Sequence, residues 1–530
     1  MITISLIRKR FIFFLSFQLV LLPVLLKGQG FYETAIRQGQ QTIFGSPKAI
    51  GMGGSMMGTG ADAAALGFNP AATGLARKSS LQAGMMPFLH TANSEFLGSE
   101  VSSEAAGMPF SNFGLSLADR KDYGEGYRGG VFSVSYNRTQ QSSRKVSWEG
   151  ESQFYRNGGK ETKNSIIDSW LDNLNQPGYF PSDILFTPQP VFADNFKNDV
   201  VMAYDAFLLD TAGGSFVSAF PQSDIEKSGS FSQTMTSGNW NFGYAADFGD
   251  KFFLGLSVLY HTSNFNSDVL YRERIRNVYV DLANPDYPLL QRFRGVDFSI
   301  SKNLNQRCRG AGANIGLLYK ASDALRFSAA VQLPTLTWIT EKYSPKINYN
   351  YNGLNYLGEV LGSGEITWFE NEFSYKLRLP ARYRLGLTWI AGKSGMLEGS
   401  AEFTNPGSSR LYDGDGYNFT RENPQISSNF GTQVNLRLGG ELRLGEFRLR
   451  AGTAYLSSPL KSNSTLNLNI PGPMVFLTAG FGARFDLWYW DAALVTGYHS
   501  LKNNYVSGYD PDVESRINVL QLHLGLGFYL

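Results

Sequence analysis

Residues 520–530 read Leu520-Gln521-Leu522-His523-Leu524-Gly525-Leu526-Gly527-Phe528-Tyr529-Leu530. Leu520, Leu522, Leu524, Leu526, Phe528 and Leu530 fall on one face of an extended chain, and Gln521, His523, Gly525, Gly527 and Tyr529 on the other. Side chains of a strand alternate between two faces, whereas those of a helix repeat about every 3.6 residues. A period of two held over eleven residues specifies a strand and excludes an amphipathic helix. One face is wholly apolar and the other small or polar, the lipid-out, lumen-in pattern of a barrel wall. A soluble sandwich strand also alternates, but its usual length is about 5–6 residues.

The pattern recurs upstream. Leu254, Leu256, Val258 and Tyr260 alternate with Gly255, Ser257 and His261; Ala311, Ala313, Ile315, Leu317 and Tyr319 alternate with Gly312, Asn314 and Gly316. Phe327, Ala329, Val331 and Leu333, and later Leu477, Ala479, Phe481, Ala483 and Phe485, behave the same way. Short turns near 120–126, 249–251, 321–323, 392–394, 445 and 487–489 alternate with long polar connections near 91–106, 139–237, 264–308, 338–380, 405–428, 457–473 and 501–515. Long extracellular loops and short periplasmic turns are the habit of outer-membrane barrels. The expected strands are 79–90, 107–119, 127–138, 238–248, 252–263, 309–320, 324–337, 381–391, 395–404, 431–444, 446–456, 474–486, 490–500 and 516–530. The alternating segment 365–377 then falls to an extracellular loop.

Composition agrees. Gly is 57 of 530 residues, aromatics 14% and charged residues only 17%, against about 25% charged in soluble chains. After the N-terminus no stretch of 18 apolar residues occurs, which excludes helical spans. The first 28 residues carry basic Arg8, Lys9 and Arg10, an apolar core from Phe11 to Leu26, and the small Gly28, the three parts of a signal peptide. The expected organisation is a signal peptide over 1–28, an N-terminal segment over 29–78 and a barrel over 79–530. The destination is the outer membrane of a Gram-negative cell, reached through the barrel-assembly machinery, with outer-membrane lipid around the wall. Cys308 is the only cysteine, so neither a disulfide framework nor a multi-cysteine metal site exists. A net charge of +2 argues for no nucleic-acid partner.

Residues 49–76 read AIGMGGSMMGTGADAAALGFNPAATGLA; sixteen of these 28 are Gly, Ala or Ser. Small residues let backbone run against backbone, and glycine supplies positive φ. A small-residue segment between a signal and a barrel suits a plug inside the lumen; the alternative is a loose N-terminal tail. The 139–237 connection is too long for a simple loop. Two helical stripes lie in it: Ile166, Ile167, Trp170, Leu171 and Leu174, and then Phe196, Val200, Ala203, Tyr204, Phe207 and Leu208. Either the helices pack on each other as a cap, or Ile167, Trp170, Leu171, Leu174, Tyr204, Phe207 and Leu208 line an apolar groove that captures a hydrophobic ligand.

Ala49-Ile50-Gly51-Met52-Gly53-Gly54, with Gly60-Ala61-Asp62 and Asn69-Pro70-Ala71, resembles the N-terminal hatch of the FadL/TodX family of outer-membrane transporters of hydrophobic compounds. Leu379-Pro380-Ala381 before Leu385-Gly386-Leu387 is similar to the family's mid-barrel segment. Leu438-Gly439-Gly440-Glu441, with Arg450-Ala451-Gly452, Tyr455 and Pro459, resembles its late hairpin. The resemblance implies an all-β fold: a 14-stranded antiparallel transmembrane β-barrel with an N-terminal hatch (plug) segment and helices in a long extracellular loop. It implies passive uptake of long-chain fatty acids or other hydrophobic small molecules, with hatch movement and sideways release. Gly51, Gly53, Gly54, Asp62, Asn69, Pro70 and Ala71 would be the hatch and gating residues. The family's basic pocket residues find no motif match here. An accessory surface barrel of a secretion system, or a lipid or haemin receptor, is the alternative.

Chemistry is sparse. His90, His261, His499 and His523 lack a second ligand at metal spacing, so no metal is expected. His499-Ser500 lacks the third group of a catalytic set, so no catalytic residue and no cofactor are expected. Asp413-Gly414-Asp415-Gly416 reads as a surface turn rather than a calcium loop.

Overall fold

A computed structural model describes residues 31–530 except 122–125, 154–155, 158–159, 162, 176–180, 186–194, 219–223, 279–292, 357–358, 368–370, 416, 463, 465–471 and 504–511. The expected signal peptide lies outside the described residues. The chain forms a closed antiparallel barrel of 14 wall strands. The first two are each broken once: β1 is Ser80–Met85 and Phe88–Phe96, and β2 is Ser99–Gly107 and Phe110–Arg120. There follow β3 (Tyr127–Ser152), β4 (Ile225–Phe248), β5 (Phe252–Val278) and β6 (Phe293–Lys320). Two more broken strands come next, β7 (Leu325–Gln332 and Leu336–Tyr356) and β8 (Asn371–Arg378 and Arg382–Ala391). The set ends with β9 (Gly395–Thr404), β10 (Gln433–Leu444), β11 (Phe447–Leu456), β12 (Met474–Arg484), β13 (Trp488–Asn503) and β14 (Val513–Tyr529). Ser80–Met85 pairs with Leu524–Tyr529, so first and last strands join. Closure removes the sheet edges that lipid could not satisfy.

Side chains follow the pleat. Leu520, Leu522, Leu524, Leu526 and Phe528 are exposed on the outer face, while His523 is buried in the lumen. Leu254, Leu256, Val258 and Tyr260 likewise point outward, with Ser257 and His261 buried. Each break carries a proline, Pro87, Pro109, Pro334 or Pro380, which has no N–H for the ladder.

The strands are longer than the alternation implied. The 139–237 connection shrinks, because β3 continues to Ser152 and β4 begins at Ile225. Segment 365–377 is corrected in part: Asn371–Arg378 is the upper half of β8, paired with Leu336–Tyr343. The physical reason is common to both. Above the bilayer the outer face turns polar, as in Ser228, Ser230, Ser232, Thr234 and Thr236. The apolar-polar signal then vanishes while backbone pairing persists, Thr234 with Ser143 and Asn266 for example.

Short elements precede or cap the wall, among them helices α1 (Phe31–Gly39), α2 (Pro47–Gly51) and α3 (Pro70–Thr73), a 3-10 turn at Ala63–Gly67, and, in the mouth, α4 (Ile166–Leu174). A further mouth helix, α5, spans Asn195–Asp205. Residues 43–76 are almost wholly buried and 31–42 buried or half-buried, so the N-terminal segment 31–76 plugs the lumen.

Candidate functional site: the plug, its latches and an open seam

The plug touches the wall where the wall has no side chain. A Cβ on Gly255 of β5 would stand 2.2 Å from the Ala71 nitrogen, and one on Gly439 of β10 2.1 Å from the Met52 carbonyl oxygen. On Gly452 of β11 it would stand 2.2 Å from the Gly53 nitrogen. Lumen-facing glycines thus admit main chain of the plug from several strands at once. From the plug's side, a Cβ on Gly51 would meet Gly480 Cα at 3.0 Å. Gly53 and Gly54 have φ of +72° and +77°, a region costly for other residues.

Local chemistry shapes the plug. Asn69 starts α3: its Oδ1 accepts from Ala71 N at 3.1 Å, and Pro70 fills the first helical position, where no N–H is needed. Asn69 Nδ2 donates to Met57 O at 2.8 Å and to Leu317 O of β6 at 3.2 Å, tying plug to wall. Asp62 starts the 3-10 turn, accepting from Ala64 N at 2.9 Å. It also accepts from Gln82 Nε2 of β1 at 2.5 Å and from the Ser46 hydroxyl.

Wall side chains supply the remaining latches, and sequence reasoning missed them. Glu398 of β9 is fully buried and accepts four hydrogen bonds. Ser55 Oγ (2.5 Å) and Met57 N (2.7 Å) reach Oε1. Gly58 N (2.8 Å) and Thr388 Oγ1 (2.9 Å) reach Oε2. Thr478 of β12 accepts from Gly53 N at 3.0 Å and donates to Gly51 O at 3.2 Å. Arg326 Nη1 donates to Gly58 O at 2.9 Å, and Arg384 Nη1 to Gly67 O at 3.0 Å. The signal was present as charged residues at lumen positions of otherwise apolar-alternating strands, but only the fold shows what they face.

Arg384 belongs to a buried cationic group. Glu402 takes Arg382 Nη1 at 3.1 Å, Arg384 Nε at 2.6 Å and Asn435 Nδ2 at 3.0 Å. Arg437 is buried beside them, its Nε and Nη2 without a hydrogen-bond partner among the described residues. The guanidinium groups of Arg384 and Arg437 stand 5.0 and 5.1 Å from the Phe68 ring of the plug.

The wall itself has a seam. β2 pairs with β3 only from Asn112–Asn137 down to Arg120–Gly129. Above that point the upper half of β2 pairs with β1 alone. The register between β3 and β4 shifts at Thr139. Carbonyls along this stretch of β3 find other donors. Thr42 N of the plug reaches Thr139 O at 3.1 Å, His90 Nδ1 lies 3.0 Å from Ser143 O, and Ser103 Oγ donates to Lys145 O at 2.5 Å. A small polar void lies between Gln38, Gln40 and Gln41 of the plug, Thr139, and Thr335 and Pro380 at the β7 and β8 breaks.

The mouth residues form one packed core. Ile167, Trp170, Leu174 and Leu208 are buried against lumen-facing Val146, Trp148, Phe231 and Tyr271. Leu171 packs at its margin, and Tyr204 is half-buried. Helix α5 ends at Asp205, and Phe207 follows with φ +58° and 62% exposure, so Phe207 leaves the stripe drawn from its spacing. Ser165 and Asp168 cap α4 reciprocally, and Glu273 of β5 accepts from Ser165 Oγ at 2.6 Å and Ile166 N at 2.8 Å.

No protein-family model matches the sequence, and no curated protein matches it significantly. Solved structures do. A Pseudomonas aeruginosa FadL homologue matches with 15% identity over 93% of this chain and 99% of its own, at a TM-score of 0.53. A deltaS2 mutant of TodX, a monoaromatic hydrocarbon channel, matches with 13% identity over 93% and 99%, at 0.50. The chain has the fold of these outer-membrane β-barrels.

Proposed function

We propose that this chain is a passive outer-membrane channel for hydrophobic small molecules, shut by the plug and opened by its movement, with release sideways at the foot of the β2–β3 seam, beside Thr139, where the wall meets the outer edge of the bilayer. The carrying observation is Thr42: a plug residue supplies the hydrogen bond that a neighbouring strand would supply elsewhere in the wall. Moving the plug would free that stretch of β3. Transfer of a greasy ligand out of water gains about 0.8 kcal/mol per buried CH₂, enough to draw it inward without an energy source. The likeness of fold to a FadL homologue and to a hydrocarbon channel supports the reading. Three arginines around the single Glu402 suit a ligand with an anionic head, such as a long-chain fatty acid.

The test is a lock. In a Cys308→Ser background, Thr42→Cys and Thr139→Cys would tether plug to seam. Oxidation should stop uptake of labelled oleate and toluene, and reduction should restore it. Uptake that ignores the tether would sink gated lateral release. A second reading, an accessory surface barrel, is favoured by the packed core that fills the mouth and by the exposed Phe207 there. Under that reading neither ligand is taken up in either redox state.

A further inference from the structure

Cations gather on one side of the outer wall, at the upper edge of its apolar band. On β6 the outward residues Tyr319, Leu317, Ile315, Ala313 and Ala311 are apolar; the next two, Arg309 and Arg307, are exposed. Tyr319 and Arg309 are ten residues apart (319 minus 309). At about 3.4 Å per residue and a tilt of about 40°, that is a rise of about 26 Å, against an apolar band about 25 Å tall. Arg309 therefore stands at the outer lipid–water boundary, with Arg307 just above it.

Strand register extends the cluster sideways. Arg309 lies opposite Trp338 of β7, which lies opposite Lys376 of β8; Leu336 lies opposite Arg378. With strands about 4.8 Å apart, Arg307, Arg309 and Arg378 span about 17 Å around Trp338. The nearby lysines have counter-charges: Lys342 pairs with Glu372 at 3.3 Å and Lys376 with Asp413 at 3.2 Å. Arg307, Arg309 and Arg378 make no ion pair or side-chain hydrogen bond among the described residues. Trp338, 48% exposed, is an aromatic anchor of the kind that marks the interface.

We propose that Arg307, Arg309 and Arg378 bind the phosphate groups of a phosphorylated glycolipid of the outer leaflet. Its acyl chains would lie on the apolar band below, beside Trp338. A guanidinium presents paired donors that match phosphate oxygens. A phosphate between the arginines also relieves their mutual repulsion in a setting where lipid limits screening by water. This surface faces away from the lumen, so the inference stands apart from the transport reading.

Native mass spectrometry of the full mature protein in mild detergent tests it, with bisphosphorylated lipid A and its dephosphorylated form as probes. The wild type should retain the phosphorylated probe in strong preference. The combined Arg307→Gln, Arg309→Gln, Arg378→Gln variant should lose about a factor of five per arginine, about a hundredfold together. A control carrying Lys121→Gln, Lys251→Gln and Lys393→Gln, on the periplasmic turns, should bind as the wild type does. Equal retention of the two probes by the wild type would overturn the proposal without recourse to any variant. So would a loss in the control as large as that in the arginine variant.

Discussion

Replacing Glu398 with Ala should loosen the plug while leaving the wall intact. The carboxyl group holds Ser55 Oγ, Met57 N and Gly58 N of the plug, and Thr388 Oγ1 of the adjoining strand. Truncation strands two buried backbone N–H groups, at about 1–3 kcal/mol each, and removes a hydroxyl bond worth about 1 kcal/mol. The plug is then held less tightly by about 5 kcal/mol, which shifts its docked-to-displaced ratio by about four thousandfold. The wall strands keep their own ladders, Gly395–Thr404 pairing with both neighbours through main chain. Glu398→Gln should do less. One amide oxygen can still serve Ser55 and Met57, and the Thr388 hydroxyl can rotate to accept, leaving Gly58 N alone without an acceptor. The assay is sensitivity of whole cells to a bulky hydrophilic antibiotic, read beside heat-modifiable gel migration for assembly. Sensitivity should rise in the order wild type, Gln, Ala at equal barrel levels. Equal sensitivity of all three would show that Glu398 is not a latch and that its contacts to Ser55, Met57 and Gly58 hold nothing that moves.

Gly255→Val and Gly439→Val insert side chains where a Cβ alone comes within 2.2 and 2.1 Å of plug backbone; overpacking of this kind costs about 1–3 kcal/mol or more. Each should raise antibiotic entry as Glu398→Ala does, and a silent pair would place the plug elsewhere in the membrane-embedded protein. Leu524→Arg puts a charge on the lipid face, at about 2–4 kcal/mol near mid-membrane, so assembled barrel should fall in heat-modifiable migration; normal assembly contradicts the outward placement of Leu524. The mouth should respond to pH through Glu273. Burial holds its carboxyl above the usual carboxylate range, although Lys227 and the Ser165, Tyr271 and Ile166 donors pull it down. The folded cap thus binds this proton more tightly than the unfolded loop, so its contribution is full below the ordinary carboxylate value and is lost as pH rises through the raised one. Protease cleavage within 153–224 should quicken over that rise, and a pH-independent rate would remove Glu273 from the account.

The alternation at Leu520–Leu530 was sufficient for a membrane barrel, because only a wall between lipid and lumen keeps one face apolar over so many residues. The rhythm of long and short connections carried the strand number for the same reason: each crossing must turn at a lipid boundary. Small residues over 49–76 marked a segment built for close approach, and Asn69-Pro70 its helix start. What the segment touches was not legible. Gly439 and Gly452 meet Met52 and Gly53 only after nearly four hundred residues of wall have closed into a ring. Glu398 is one more polar residue in a lumen-facing register until Ser55, Met57 and Gly58 are brought to it. The upper strands escaped the pattern because outside the bilayer the outer face meets water and turns polar, while the inner face mixes Phe231 and Met235 with Lys227 and Gln233. The seam escaped for a related reason: unpaired carbonyls leave no mark in side-chain order, and only tertiary structure shows that Thr42 fills the place of a strand at Thr139. Periodicity records what surrounds the wall; contacts across the lumen depend on closure, which no local stretch encodes.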